Sequence, residues 1–164
     1  MGMGIDHATF RAAMARFPGA VTIITARHGI ERRGITATAV CSVSAEPPSL
    51  LVCVNRKTGT CAAIHESRTF NVSLLPDPAS PLAMRFAGAD GVTGEDKFAE
   101  GRWIEDGRGL PLLDEALIGF SCTVSEMVEA GSHTVFIGEI MEIRLNDGAP
   151  LVYEQSRFHR LEPL

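Results

Sequence analysis

Gly34-Ile-Thr-Ala-Thr-Ala-Val-Cys-Ser-Val-Ser-Ala-Glu-Pro-Pro-Ser-Leu-Leu-Val-Cys-Val-Asn55 is the stretch on which the reading of this chain turns. Two apolar, β-branched segments flank a middle of small residues and small hydroxyls. The run from Ser49 to Val54 has no charged interruption, so the pattern predicts a strand buried on both faces. In the middle, Thr36, Thr38, Ser42 and Ser44 alternate with Ala37, Ala39 and Val40. Small side chains let a flat ligand lie against the backbone, where hydroxyls and main-chain N–H groups meet its polar edge. The plainer alternative is a strand–loop–strand whose hydroxyls bond their own backbone. Glu46-Pro47-Pro48 ends the loop, because each proline fixes φ and removes a donor.

Working outward, strand signals dominate. Asp6 is placed to cap a helix whose Phe10, Met14 and Phe17 share one face, ended by Pro18-Gly19. Ala20 to Ala26 has strong β propensity, and Arg32 to Thr36 is its predicted antiparallel partner after a turn at His28-Gly29. Cys61 to Glu66 reads as a helix capped by Thr58 or Thr60. Thr69 to Leu75 is a strand and Leu82 to Phe86 a short helix. Asp90 to Asp106 is glycine-rich and charged; its Trp103 either opens a short strand or fills a core gap. Ala116 to Glu129 and His133 to Leu145 are long strands about a tip at Ala130-Gly131-Ser132. Asn146-Asp147-Gly148 signals a hairpin, with Pro150 to Tyr153 as the last strand. That makes about seven strands joined mostly by turns, the pattern of an antiparallel barrel with a few short peripheral helices rather than of a β–α alternation.

Composition sets the frame. A chain of 164 residues suits one domain spanning 1–164, and 45% hydrophobic against 21% charged residues supports a real core. A formal net charge of -5 argues against nucleic acid as a partner, and no apolar run is long enough to span a membrane. Met1 to Asp6 has neither the features of a signal peptide nor those of a myristoylation site. Cys41, Cys53, Cys61 and Cys122 form no C-x-x-C pair and read as reduced, buried packing residues of a cytoplasmic protein.

Few residues suggest chemistry of their own. The five histidines are scattered, so no metal site is expected. No G-x-S-x-G elbow and no G-x-G-x-x-G fingerprint is present. Asn55-Arg56-Lys57-Thr58-Gly59-Thr60 brings two cations to a helix start; it reads either as a phosphate cradle or as a solvated turn. His133, just after the Gly131-Ser132 tip, is either a proton-exchanging or anion-binding group or a histidine that ties its hairpin.

Several stretches together resemble one family. They are Phe17-Pro18-Gly19, Gly34 through Asn55, Arg85-Phe86-Ala87-Gly88, Gly131-Ser132-His133 with Phe136-Ile137-Gly138-Glu139, and Leu151-Val152-Tyr153 with Arg157-Phe158. In this order they resemble the short-chain flavin reductases of two-component flavin monooxygenases, which have the FMN-binding split-barrel fold, mainly antiparallel β with Greek-key-like connections. The resemblance implies a homodimer that oxidises NADH or NADPH, reduces FMN or FAD, and supplies a separate monooxygenase. It implies that Thr36, Ala37, Thr38, Ala39 and Val40 line the isoalloxazine ring, with Ser42 towards the ribityl phosphate. Asn55, Lys57, Thr58, Gly59, Thr60 and Cys61 would hold the ribityl chain and phosphate, and Arg85 and Phe86 complete the flavin site. Ser132, His133 and Tyr153 would border the nicotinamide, with His133 the residue closest to catalysis. The family often has an acid where Ser132 stands, and a Tyr-x-x-Gly-x-Tyr strand where this chain has Tyr153-Glu154-Gln155-Ser156-Arg157-Phe158. Other readings are a pyridoxamine-phosphate-oxidase-like or haem-handling barrel, a flavin-binding electron carrier or redox sensor, and a plain ligand-binding module.

Overall fold

A computed structural model describes residues 4–164. Met1–Met3, part of the segment read above for a leader, lie outside the described residues. The N-terminal helix α1 (His7–Met14) is capped by Asp6, whose carboxylate accepts from Thr9 N–H. The predicted apolar face exists in sequence only: no residue of α1 is buried, and Phe10, Met14 and the following Phe17 stand in solvent.

Seven strands make one antiparallel sheet. They are β2 (Thr22–His28), β3 (Glu31–Ala37), β4 (Val40–Ala45), β5 (Pro48–Asn55), β6 (Thr69–Leu74), β9 (Ile118–Ala130) and β10 (His133–Leu145), in the order β3-β2-β6-β9-β10-β5-β4. Edge strands β3 and β4 are consecutive, separated only by Thr38 and Ala39. Three residues of extended chain reach roughly 10 Å, so the sheet has to curl until its edges nearly meet. The result is a barrel whose wall is split between β3 and β4, as the resemblance implied.

The small-residue middle is therefore not a loop. It is the end of β3, a tight turn and an edge strand, and Glu46-Pro47 turns the chain into β5. Strand β5 is not buried on both faces either. Ser49, Leu50, Val52 and Val54 are buried while Leu51 and Cys53 are only half covered, because β5 lies in the barrel wall with one face inward. One core cluster fills the barrel around Ile24, Val52, Phe70 and Phe136. A second lies outside it, around Ile23, Leu75, Phe86 and Phe98.

The rest clothes the barrel. Helix α2 (Gly59–Ser67) plugs one end with Cys61, Ala63 and Ile64, and α3 (Ser80–Phe86) packs on β3. Short strands β7 (Trp103–Glu105) and β8 (Pro111–Leu113) form a ribbon. Trp103 both opens β7 and fills a gap, its ring 5.2 Å from that of Phe86 and 4.9 Å from that of Phe98. The hairpin expected at Asn146-Asp147-Gly148 does not form. The Asn146 side chain instead donates to the Asp114 and Ala116 carbonyls, and the chain crosses to a separate sheet. There β1 (Gly19–Ala20), β11 (Val152–Glu154) and β12 (Arg157–His159) pair. The real hairpin is one turn later, where Gln155 and Ser156 both take positive φ, the requirement of a type I′ turn. Of the cysteines read as buried, Cys61 and Cys122 are, Cys53 is half-buried and Cys41 is exposed, because β4 is an uncovered edge.

Candidate functional site

The split in the barrel is a cleft of about 450 Å³. One wall is the strip Thr36, Ala37, Thr38 and Ala39; Cys53, Asn55 and His133 form another, and Phe86, Ala87 and Lys97 a third. Gly34 makes this geometry possible. A Cβ there would stand 2.7 Å from the Phe86 ring, so glycine lets α3 press against β3. The Thr36 hydroxyl donates to the Ala83 carbonyl at 2.5 Å, which fixes the strip to α3. The Thr38 and Ala39 amides make no bond to the chain among the described residues, whereas their carbonyls accept from Val40 and Cys53. Two outward amides beside small side chains suit the polar edge of a flat heterocycle.

A second hollow of about 290 Å³ continues from the first past Ile35, Thr58 and Lys97. It holds Arg33, Gly59, Thr60 and Gly94, and opens on the start of α2. Thr58 is the helix cap: its hydroxyl accepts from Cys61 N–H at 3.2 Å and donates to Asn55 O at 2.8 Å. Asn55 Oδ1 accepts from Lys57 N–H at 2.9 Å, which holds the turn. Among the described residues, the Gly59 and Thr60 amides are left facing outward at the positive end of the helix dipole. Arg33 stands directly over them, paired with Glu31.

Not every expected residue joins these hollows. Lys57 does not: it borders a separate hollow with Asn55, Arg56, Gly131 and Ser132. The cation at α2 is Arg33. Val40 leans into the core, and Ser42 is exposed on edge strand β4. Cys61 is buried in the core and offers only its capped N–H. Arg85 points away from the cleft, donating to the Lys97 carbonyl at 3.0 Å and the Asp96 carbonyl at 2.6 Å. It holds the loop that carries Lys97. His133 reaches the cleft, and Ser132 Oγ lies 2.8 Å from its Nδ1. Tyr153 lines an adjoining apolar cleft of about 230 Å³ with Phe158 and Met84, on the far side of Thr36–Thr38 from His133.

Lys97 was not legible in the sequence. It lies in an aperiodic, glycine-rich segment with many other charges. Its ammonium donates to the Gly34 carbonyl at 3.2 Å and the Phe86 carbonyl at 3.0 Å. Burial lowers its pKa, while Asp90 works in the opposite direction. Arg33 had only a weak signal, a cation beside Gly34 at the end of the charged run Glu31-Arg32-Arg33.

Comparisons with known proteins agree with this architecture. The family described as "Flavin reductase like domain" matches residues 14–162. The chain is 40% identical over 158 residues to "FMN reductase (NADH) RutF" of Enterobacter cloacae, covering 95% of this chain and 94% of that one. It is 38% identical to the reductase component of a 4-nitrophenol 4-monooxygenase/4-nitrocatechol 2-monooxygenase of Rhodococcus opacus, covering 97% and 83%. The solved structure of the flavin reductase PheA2 superposes with a TM-score of 0.88 at 34% identity, covering 97% of this chain and all of that one. This chain belongs to the flavin reductase family.

Proposed function

We propose that the protein is an NADH-dependent flavin reductase that passes reduced flavin to a separate monooxygenase. The observation that carries this reading is the continuity of the cleft. A flat, small-walled slot at Thr36–Ala39 runs directly into a cationic hollow at the start of α2, the shape of a heterocycle bearing a phosphate tail. The Enterobacter relative is named for FMN and NADH, and the Rhodococcus relative for a monooxygenase system.

A bound flavin supplies the hydride acceptor, so the chain itself needs no acid–base triad. Thr36–Ala39 and Ala87 set the plane of the ring, and the Thr38 and Ala39 amides meet its polar edge. Arg33, Thr58, Gly59 and Thr60 hold the phosphate. The nicotinamide ring stacks on the open face of the flavin within the same slot, at the roughly 3–3.5 Å that hydride transfer needs, with Tyr153 in the adjoining apolar cleft. His133, steadied by Ser132, binds a polar group of the reductant at the opposite end.

A second copy of the chain is the natural cover for the exposed apolar side chains of α1, β4 and the far halves of β9 and β10. Phe10, Met14, Val43, Met141 and Ile143 all stand in solvent, which favours a homodimer. Four free cysteines suit a reducing compartment such as the cytoplasm. The deciding experiment is steady-state oxidation of NADH and of NADPH with FMN, FAD and riboflavin in turn. Flavin-dependent NADH oxidation is expected; no oxidation with any flavin ends the reading.

A further inference from the structure

A short 3-10 helix (Gly94–Ala99) between α3 and β7 delivers one ammonium to the place where the ring slot becomes the phosphate hollow. Lys97 is shared by both. Two of its three N–H groups are spent on the Gly34 and Phe86 carbonyls, and no carboxylate pairs with it among the described residues. Its position is fixed from behind. Arg85 clamps the Lys97 and Asp96 carbonyls and takes up Asp90 at 3.3 Å. The chain thus spends a second cation to aim the first, and keeps the nearest acid occupied.

Flavin chemistry says what edge of the ring would lie there. The ribityl chain leaves from N10, which neighbours N1 and the C2 carbonyl. With the ring in the slot and the phosphate at α2, the junction faces that edge. We propose that the Lys97 ammonium sits against the N1–C2 edge and stabilises the negative charge the flavin gains on reduction. This rests on the flavin-reductase reading above. In the step itself, hydride leaves C4 of NADH with both electrons and joins flavin N5. NADH becomes NAD+, and the neutral flavin becomes the anion protonated at N5 alone. No further proton is needed, and the new charge is spread over N1 and the C2 oxygen. A fixed cation at that edge acts more strongly on the reduced state than on the oxidised one, which is the condition for lowering the barrier. Burial already disfavours the ammonium, so an anionic edge beside it satisfies both partners.

The test separates the two redox states. For the wild-type protein, Lys97→Gln and Lys97→Arg, the dissociation constant of oxidised FMN is measured by fluorescence quenching. The midpoint potential of the bound flavin is measured by anaerobic dye equilibration. For Lys97→Gln, reduced flavin should be weakened at least tenfold more than oxidised flavin, a potential drop of about 30 mV for a two-electron couple. Lys97→Arg, which keeps the charge and can refold where Gln does not, should hold the wild-type potential. An unchanged potential in a folded Lys97→Gln that binds FMN overturns the proposal and leaves the flavin reading standing. A wild-type protein that binds no flavin removes both.

Discussion

A Cβ placed on Gly59 would stand 3.1 Å from Nε of Arg33. That closeness puts a guanidinium over the first turn of α2, where the dipole is positive and cations are disfavoured. Glu31 offsets part of that charge, and an anion bound beside the guanidinium and the helix start offsets the rest. Arg33→Ala is therefore expected to weaken FMN at least tenfold more than riboflavin, since a charge-assisted contact contributes about 1.5–3 kcal/mol. Lys57→Ala, outside the hollow, should change the two ligands little and alike. Parallel quenching titrations check this, and equal losses of FMN and riboflavin in Arg33→Ala would remove the phosphate from this place.

Thr38 lies at the turn of the strip and borders both clefts. Replacing it by leucine adds bulk where the ring would lie, and Thr38 itself belongs to neither core cluster. Thr38→Leu should keep the circular dichroism of the wild type and lose flavin binding. Normal affinity in a folded variant would show that the ring lies elsewhere.

His133 depends on its neighbour through the 2.8 Å contact of its Nδ1 with Ser132 Oγ. His133→Ala should raise the Michaelis constant for NADH or slow flavin reduction by roughly 10–100-fold, with flavin affinity nearly unchanged. Ser132→Ala should give a smaller effect in the same direction. Stopped-flow reduction read beside a melting curve distinguishes a hairpin role, which would lower the melting temperature and leave the kinetics alone.

Asp106 supports a polar knot far from the cleft. Burial works to raise its pKa. The Leu110 and Arg108 amides, the Arg108 guanidinium and Asn71 outweigh burial and hold it below its ordinary 3.8. A carboxyl with a depressed folded pKa adds stability above its unfolded pKa and loses it as pH falls through the folded value. Chemical denaturation between pH 7 and pH 3 should show the wild type weakening towards the acid end. Asp106→Asn should be less stable at neutral pH and show a flatter profile.

Thiol reactivity should rank the cysteines by place in the barrel. Burial, only partly opposed by Arg108, pushes Cys122 up to about 12, so it should react only on unfolding. Burial and Cys41 raise Cys53, which lines the cleft, so bound flavin should slow its labelling. Cys41, exposed on edge strand β4 of the single chain, should react first in the monomer and more slowly where a second copy covers β4. Mass spectrometry after timed alkylation, with and without FMN, gives the order.

What the sequence determined by itself was local. Alternation, β-branched runs and turn residues marked six of the seven strands of the barrel sheet, and the Thr58 cap marked the start of α2. These signals are short-range, so they survive without knowledge of the partner strands. The strip Thr36–Ala39 was legible for the same reason, as small residues with hydroxyls in a row. Other features depended on what lies beside what. Edge strand β4 looked like loop because its small, mostly exposed residues bury nothing that would mark a strand face. The Asn146-Asp147-Gly148 signal was overridden by side-chain bonds to the Asp114 and Ala116 carbonyls. Gln155 and Ser156 form a turn without glycine because their strands pair on either side. Above all, only closure of the sheet brought the end of β3 opposite Cys53, Asn55 and His133. That closure turned a row of small residues into a slot, set Arg33 over α2 in place of Lys57, and carried Lys97 to the junction on a short 3-10 helix whose sequence is aperiodic. A charge placed by long-range packing leaves no periodic trace in the sequence.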